Sequence, residues 1–203
     1  MTAPVYPTFN RRGFRMYQGQ NGLDDVPGVT SIMKNIDKAG IGFGRARQAA
    51  ICAWDDIDKL VGWVRDDNQK AFIDHVRNAA GRVWGSAADL GTEVHGLAES
   101  RFKFEDLGHI RPKHAGFVEQ LDKFIKDFKV EPLEIEATAW NESVGYAGTI
   151  DLIARVGGET IVLDIKTGAS GIWPDVALQL AAYGNAEFLV DPDGSKRSLP
   201  DLD

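Results

Sequence analysis

The chain has 203 residues, of which 43% are apolar and 26% charged, a composition typical of a globular protein and not of a disordered one. The sequence contains no apolar run near the ~20 residues that span a bilayer, and its polar start does not resemble a signal peptide, so we expect a soluble, cytoplasmic protein. The net charge of −7 argues mildly against a broad nucleic-acid-coating surface, and the single cysteine, Cys52, excludes disulfides and cysteine-rich metal sites within one chain.

Residues 1–82 are expected to form a helical N-terminal region with an irregular arm. Residues 1–30 are rich in Gly, Pro, Asn and Asp, which favours loops. Thr30 or Ser31 is a candidate N-cap for a short helix, and two further stretches before residue 86 look helical. Phe9, Phe14 and Tyr17 are interleaved with basic side chains, so this region is either a DNA-binding surface or an ordinary solvated one. The basic residues are Arg11, Arg12, Arg15, Lys34, Lys38, Arg45 and Arg47.

Residues 83–203 are expected to form a second unit that contains both helices and strands. In chain order the predicted elements are helices at 86–104 and 113–128, a strand at 132–141, a hairpin at 148–168 and a helix at 173–190. The polar tail after residue 190 is expected to be loose. This order predicts an α/β (α+β) domain with an antiparallel hairpin at its centre.

The hairpin has charged residues on one of its two faces. A two-residue turn at Gly157–Gly158 sets a register in which Asp151 lies directly opposite Asp164. Lys166 follows two residues after Asp164 and therefore shares its face, whereas the alternate positions are all apolar.

This pairing of two acids is costly unless something compensates for it. Carboxylates about 5 Å apart repel each other by ~3 kcal/mol at an effective dielectric constant of ~20. Protonation of Asp151, a salt-bridge network with Lys166, or a divalent cation would each offset the repulsion. A network kept for stability alone is the structural alternative, but buried ion networks rarely stabilise more than apolar packing does. Paired acids beside a lysine favour metal-assisted hydrolysis with Mg²⁺ or Mn²⁺.

Four short motifs occur in a fixed order along the chain. They are "GTEVH" at 91–95, "GTID" at 148–151, "LDIKTG" at 163–168 and "QLAAY" at 179–183. Together they resemble the RecB-like exonuclease branch of the PD-(D/E)XK nuclease superfamily, and residues 1–80 are loosely similar to the helical N-terminal parts of phage-encoded members. The resemblance implies a restriction-endonuclease-like core, in which a small mixed sheet with a central antiparallel hairpin is flanked by helices. Relatives with an iron–sulfur cluster use four cysteines, so no cluster is expected here.

The resemblance also implies roles for individual residues. The implied metal ligands are His95, Asp151, Asp164 and the backbone carbonyl of Ile165. Lys166 is implied to orient or deprotonate the attacking water, or to stabilise the charge of the transition state. The residues implied to support the ligands or contact DNA are Gln179, Tyr183 and Glu136. Glu99, at i+4 from His95, either orients the imidazole or belongs to an exposed helix pair.

The implied activity is that of a Mg²⁺- or Mn²⁺-dependent DNA exonuclease of recombination, repair or phage DNA processing, which cleaves phosphodiester bonds by attack of a metal-activated water. Its cellular setting would be the cytoplasm of a bacterial or phage-infected cell. No GxxxxGK[ST] motif is present, so a helicase or recombination partner would be a separate chain. A nuclease-like module that binds DNA ends without cutting is the alternative, and a two-carboxylate glycosidase fits the lysine and the histidine motif poorly.

Overall fold

A computed structural model describes residues 6–36, 39–168 and 171–203. The chain divides into two compact units, of which one is Asp37–Leu90 and the other combines Met1–Ile36 with Gly91–Asp203. This division differs from the expected boundary at residue 82. The reason is that residues 6–36 pack with the later sheet.

The N-terminal segment is a small antiparallel sheet where an irregular arm was expected. Its strands are β1 (Thr8–Arg11), β2 (Phe14–Tyr17) and β3 (Val26–Pro27), followed by the short helix α1 (Val29–Ile32) and a 3₁₀ turn at Met33–Asn35. Strands of two to four residues are too short to show a reliable alternation of apolar and polar positions. The sheet is instead held by packing of Tyr6 and Tyr17 against Trp140, which lies far along the sequence.

The unit Asp37–Leu90 is helical, as the sequence indicates. Its helices are α2 (Ala39–Asp55), α3 (Ile57–Arg65), α4 (Gln69–Arg77) and the first half of α5 (Ala79–Phe102). The side chain of Asn68 caps α4 by accepting a hydrogen bond from the N–H of Ala71 at 3.2 Å. Among the described residues, every helix is too short or too polar to cross a membrane.

The larger unit is built on a five-stranded sheet. After α5 and α6 (Pro112–Phe128) come β4 (Glu131–Asn141), β5 (Tyr146–Val156), β6 (Glu159–Leu163), α7 (Pro174–Gly184), β7 (Phe188–Val190) and β8 (Lys196–Arg197). The strand order is β6-β5-β4-β7-β8, and every ladder between these strands is antiparallel. The α+β class is therefore confirmed, but the sheet is antiparallel and not mixed. Strand β7 pairs with the C-terminal part of β4 in antiparallel orientation.

The predicted hairpin register is present over the whole described ladder. Val156 pairs with Glu159 across the Gly157–Gly158 turn, and the pairing continues to Leu152 and Leu163. Both glycines have positive φ, as such a turn requires. Regular strand structure ends at Leu163, so Asp164 begins the loop that follows.

The buried apolar side chains of the large sheet pack in separate clusters. One cluster contains Leu152 and Ala154 and packs against α5 and α6. Another contains Ile150, Ile153 and Tyr183 and packs against α1 and α7.

Two local features of this unit are not indicated by the sequence. Leu133 is 41% exposed, whereas Ala137 and Ala139 farther along β4 are buried, because the β4–β5 register shifts between Pro132 and Glu134. The tail after residue 190 is not loose. Asp203 exchanges hydrogen bonds with the backbone of Thr160 on the edge strand β6, and Arg197 forms a two-point ion pair with Glu134.

Candidate active site

The motif residues converge on one cavity of about 250 Å³ in the larger unit. Helix α5 contributes His95, and β5 contributes Asp151. The loop after β6 contributes Asp164, Ile165 and Lys166, and α7 contributes Gln179 and Tyr183. These elements are far apart in sequence, and the antiparallel hairpin together with the two helices places their side chains around a common space.

The Asp151 carboxylate, which lines this cavity, is contacted by a backbone N–H group and by an imidazole. Its Oδ2 accepts a 2.7 Å hydrogen bond from the N–H of Ile165 and lies 3.6 Å from Nδ1 of His95. Only 12% of the Asp151 side chain and 11% of the His95 side chain are exposed. Burial raises the pKa of the Asp151 carboxyl, and the Ile165 N–H and the His95 charge oppose that shift only in part.

Asp164 and Lys166 form an ion pair, and Gln179 on α7 contacts both of its members. Oδ1 of Asp164 accepts a 2.8 Å hydrogen bond from Nε2 of Gln179, and Nζ of Lys166 lies 3.5 Å from Oε1 of the same side chain. Gln179 also donates to the hydroxyl of Tyr183 at 3.2 Å. Burial raises the pKa of Tyr183, so this hydroxyl stays neutral. Of the two residues predicted to have supporting positions, Gln179 therefore contacts both the acid and the lysine, and Tyr183 is linked to them through Gln179.

Glu136 lies closer to the metal-ligand candidates than the sequence implied. It is opposite Asp151 in the β4–β5 register, and its carboxylate, a carboxylate oxygen of Asp151 and an imidazole nitrogen of His95 all lie within 4.8 Å of one another. The backbone of Glu136 has φ 51°, a left-handed conformation that costs a non-glycine residue free energy. A strained acid beside two other ligand-type groups is a feature common at functional sites.

The residues present fit a divalent cation. Oδ2 of Asp164 is buried and contacts the Lys166 ammonium without a hydrogen bond of ordinary geometry from the described residues. Carboxylate oxygens with one imidazole form a donor set that suits Mn²⁺ and Mg²⁺. Asp164 is not part of the tight group of His95, Glu136 and Asp151, but it lines the same cavity.

The structure gives contacts for two further residues named in the sequence analysis. Glu99 accepts a 2.6 Å hydrogen bond from Lys103, which corresponds to the alternative of an exposed helix pair. Ile165 lines the cavity and its N–H orients Asp151, while its side chain packs against the α5–α6 core. His114 on α6 is buried and bonded to Glu93.

The N-terminal segment supplies cavity residues that sequence reasoning did not assign to the site. They are Arg15 and Tyr17 from β2 and Thr30 from α1. Thr149 on β5, within the "GTID" motif, also lines the cavity, and its Oγ1 lies 2.9 Å from the Tyr17 hydroxyl. The interleaved basic and aromatic residues of the N-terminus were the available signal, but nothing in the sequence indicated that Arg15 and Tyr17 would face Asp151.

A second group of ligand-type side chains lies in the helical unit. Cys52, Asp56 and His75 place donor atoms within 4.8 Å of one another. Nη2 of Arg82 lies 3.3 Å from Sγ of Cys52, and His75 shares a 2.6 Å hydrogen bond with Asp56. This hydrogen bond is the main reason that the pKa of Asp56 is lowered. The guanidinium already supplies a cation at this group, which therefore fits a structural hydrogen-bond network and not a metal centre.

Comparison of the chain with protein-family models and with curated proteins finds no match. The functional conclusion therefore rests on the geometry of the cavity and on the motif resemblance.

Proposed function

We propose that the protein is a metal-dependent deoxyribonuclease that hydrolyses phosphodiester bonds. The observation that carries this proposal is the convergence of His95, Asp151, Asp164 and Lys166 on one cavity. A bound Mg²⁺ or Mn²⁺ would supply a nucleophilic water at neutral pH and neutralise the charge that develops on the phosphate. His95, Asp151, Glu136 and Asp164 are the residues that would hold it.

The protein's own groups account for the remaining parts of the reaction. Lys166 has 41% of its side chain exposed, so its ammonium can reach the phosphate oxygens from its position beside Asp164. Gln179 fixes Asp164 and lies within reach of Lys166, which limits the rotation of both. Asp151 is oriented by the Ile165 N–H, so the two acids are positioned before substrate arrives.

The test is hydrolysis of end-labelled single- and double-stranded linear DNA with Mn²⁺, with Mg²⁺ and with EDTA. We expect Asp164→Asn and Lys166→Ala each to reduce the rate by about a hundredfold or more, because each removes a group that contacts the reacting centre. Asp127→Asn on the exposed side of α6 is the matched control and should cut at the wild-type rate. Circular dichroism should show that all variants are folded.

Two outcomes would contradict the proposal. Undiminished cleavage by folded Asp164→Asn would remove the assignment, and DNA binding by the wild type without cleavage would favour a non-catalytic end-binding module. Covalently closed circular DNA distinguishes an exonuclease, which we favour by family resemblance, from an endonuclease. We place the enzyme in the cytoplasm of a bacterial or phage-infected cell, working beside a separate helicase or recombination protein.

A further inference from the structure

One wall of the cavity has no role in the hydrolysis proposed above. It is formed by the N-terminal sheet, which brings Arg15 and Tyr17 to the same space as Asp151 and Asp164. This segment precedes the motif-bearing part of the chain by about sixty residues or more in sequence, so its presence at the cavity needs its own explanation.

Arg15 is a cation without an acidic partner in the part of the chain that the structure describes. The other cation of the cavity, Lys166, is paired with Asp164. The Arg15 side chain is half-buried and forms a hydrogen bond with the Tyr17 hydroxyl. This hydroxyl is neutral, because burial raises the pKa of Tyr17. A half-buried guanidinium that faces a cavity and has no carboxylate beside it is suited to bind an anion from solution, and its fork of N–H donors matches the oxygens of a phosphate.

Neighbouring hydroxyl groups complete a set of donors around this position. The Tyr17 hydroxyl lies 2.9 Å from Oγ1 of Thr149, and the hydroxyl-bearing Thr30 lines the same wall. Arginine has only donors, so the Tyr17 oxygen accepts from it. The hydrogen bond between Tyr17 and Thr149 uses one of the two hydroxyl hydrogens, and the other is available for a further acceptor. The group as a whole offers positive charge and several hydrogen-bond donors, and none of its members is an acid.

The spacing along β5 fixes where this group lies relative to the reacting phosphate. Thr149 and Asp151 are two residues apart and therefore share a face, with about 7 Å between them. This distance is comparable to the separation of successive phosphates along one DNA strand. A phosphate held near Asp151 and Asp164 would thus place its neighbour in the strand beside Thr149, Tyr17 and Arg15.

We propose that Arg15, with Tyr17 and Thr149, binds the DNA phosphate next to the scissile one and so positions the strand for cleavage. This inference rests on the proposed nuclease function for the identity of the ligand. Arg15 is a substrate-positioning residue in this scheme, because the bond that breaks lies one nucleotide away from it.

The experiment measures binding of a fluorescein-labelled single-stranded oligonucleotide by anisotropy, with Ca²⁺ as the divalent ion. We expect Arg15→Gln to raise Kd by about tenfold or more and to reduce the slope of log K against log salt by about 0.7. The Kd of Arg15→Lys should lie between those of the wild type and Arg15→Gln, because lysine keeps the charge but loses the fork of donors. Arg155→Gln, at an exposed position near the Gly157–Gly158 turn, is the matched control and should bind as the wild type does.

A second arm locates the phosphate with oligonucleotides that each contain one neutral methylphosphonate. The wild type should lose affinity when the substitution falls at one particular phosphate, and Arg15→Gln should be insensitive to that substitution. Where the wild type cleaves, this phosphate should be adjacent to the cut bond. Sensitivity at the cut phosphate itself, unchanged binding by Arg15→Gln, or an equal loss in Arg155→Gln would overturn the proposal. Wild-type binding without any cleavage would contradict the nuclease function and leave the binding result for Arg15 intact as a separate outcome.

Discussion

At the scale of single residues, several side chains of the candidate site are in environments that cost folding free energy. Asp151 is buried with a raised pKa, Asp164 is almost fully buried, and Glu136 has a left-handed backbone. Each feature costs folding free energy, and none of them is needed to pack the apolar faces of the sheet. Their occurrence within one small region is expected when stability is sacrificed for a function.

The charge of Asp151 should therefore destabilise the metal-free protein. The folded state holds the proton of this carboxyl more tightly than the unfolded chain, whose value is near 3.8. Stability should consequently fall as pH rises above that value and through the raised pKa of the folded state. We expect Asp151→Asn to increase the free energy of unfolding in EDTA at pH 7.5, and to have a much smaller effect at pH 4, as measured by urea denaturation.

Addition of Mn²⁺ provides the complementary measurement for this variant. The ion should stabilise the wild type and not Asp151→Asn, because the amide is a poor metal ligand. Asp127→Asn, on the exposed side of α6, should show neither effect. Equal stability of Asp151→Asn and wild type at pH 7.5 in EDTA would mean that His95 compensates fully for the buried charge.

At the scale of secondary-structure elements, close contact between β5 and α7 aligns the two halves of the site. Gly148 on β5 lies against the ring of Tyr183 on α7, and a Cβ atom at Gly148 would lie 2.5 Å from Cε1 of that ring. Tyr183 is only 3% exposed and is bonded to Gln179, which in turn holds Asp164. The glycine of the "GTID" motif thus allows the helix to approach the strand that contains Asp151.

Gly148→Ala should displace this helix contact and disturb the site. We expect a loss of about 1–3 kcal/mol in the free energy of unfolding, the usual cost of overpacking a core, and a fall in nuclease rate. The double variant Gly148→Ala/Tyr183→Ala should be more stable than the sum of the single changes predicts, because the ring that clashes is gone. Gly184→Ala is the control, since its nearest neighbour would be 3.9 Å away, and it should be neutral or slightly stabilising. Additive energies in the double variant would contradict the proposed contact.

At the scale of the whole molecule, the sequence predicted the parts whose signals are local. The Gly157–Gly158 turn set the hairpin register, and helical spacing located α6 and most of α5, which begins at Ala79 and not at 86. The last helix was correct only as far as Gly184, because residues 188–190, predicted as its end, form strand β7. The N-terminal sheet was missed because its strands are very short and its main contact, Tyr17 with Trp140, links residues far apart in sequence. The proposed role of Arg15 could not be predicted for the same reason, because the sequence of a loop-like segment does not indicate which cavity a basic residue faces. Glu136 was assigned only a supporting position, since its proximity to Asp151 depends on the register of β4.

The C-terminal segment shows the same dependence on distant partners and leads to a prediction for the whole sheet. Arg197 on β8 bonds both oxygens of Glu134 on β4, at 2.7 and 2.9 Å, and Asp191 at 2.8 Å. Lysine cannot reproduce this two-point geometry, so we expect Arg197→Lys to lower the free energy of unfolding by about 1 kcal/mol, a value reduced by partial exposure of the pair.

In Arg197→Lys, hydrogen exchange should also become faster in β8 and at the Asp203 amide, which bonds to Thr160 on the edge strand β6. The rate of the proposed DNA cleavage should stay the same, because the C-terminal segment does not line the cavity. Arg155→Lys is the matched control, because Arg155 makes a single 3.3 Å contact with Glu131 at the surface and its loss should cost far less. Equal destabilisation by the two substitutions would show that the two-point geometry of Arg197 contributes nothing beyond its charge. The sheet edge would then be held by the apolar contacts of Leu199 and Leu202 and not by the ion pair.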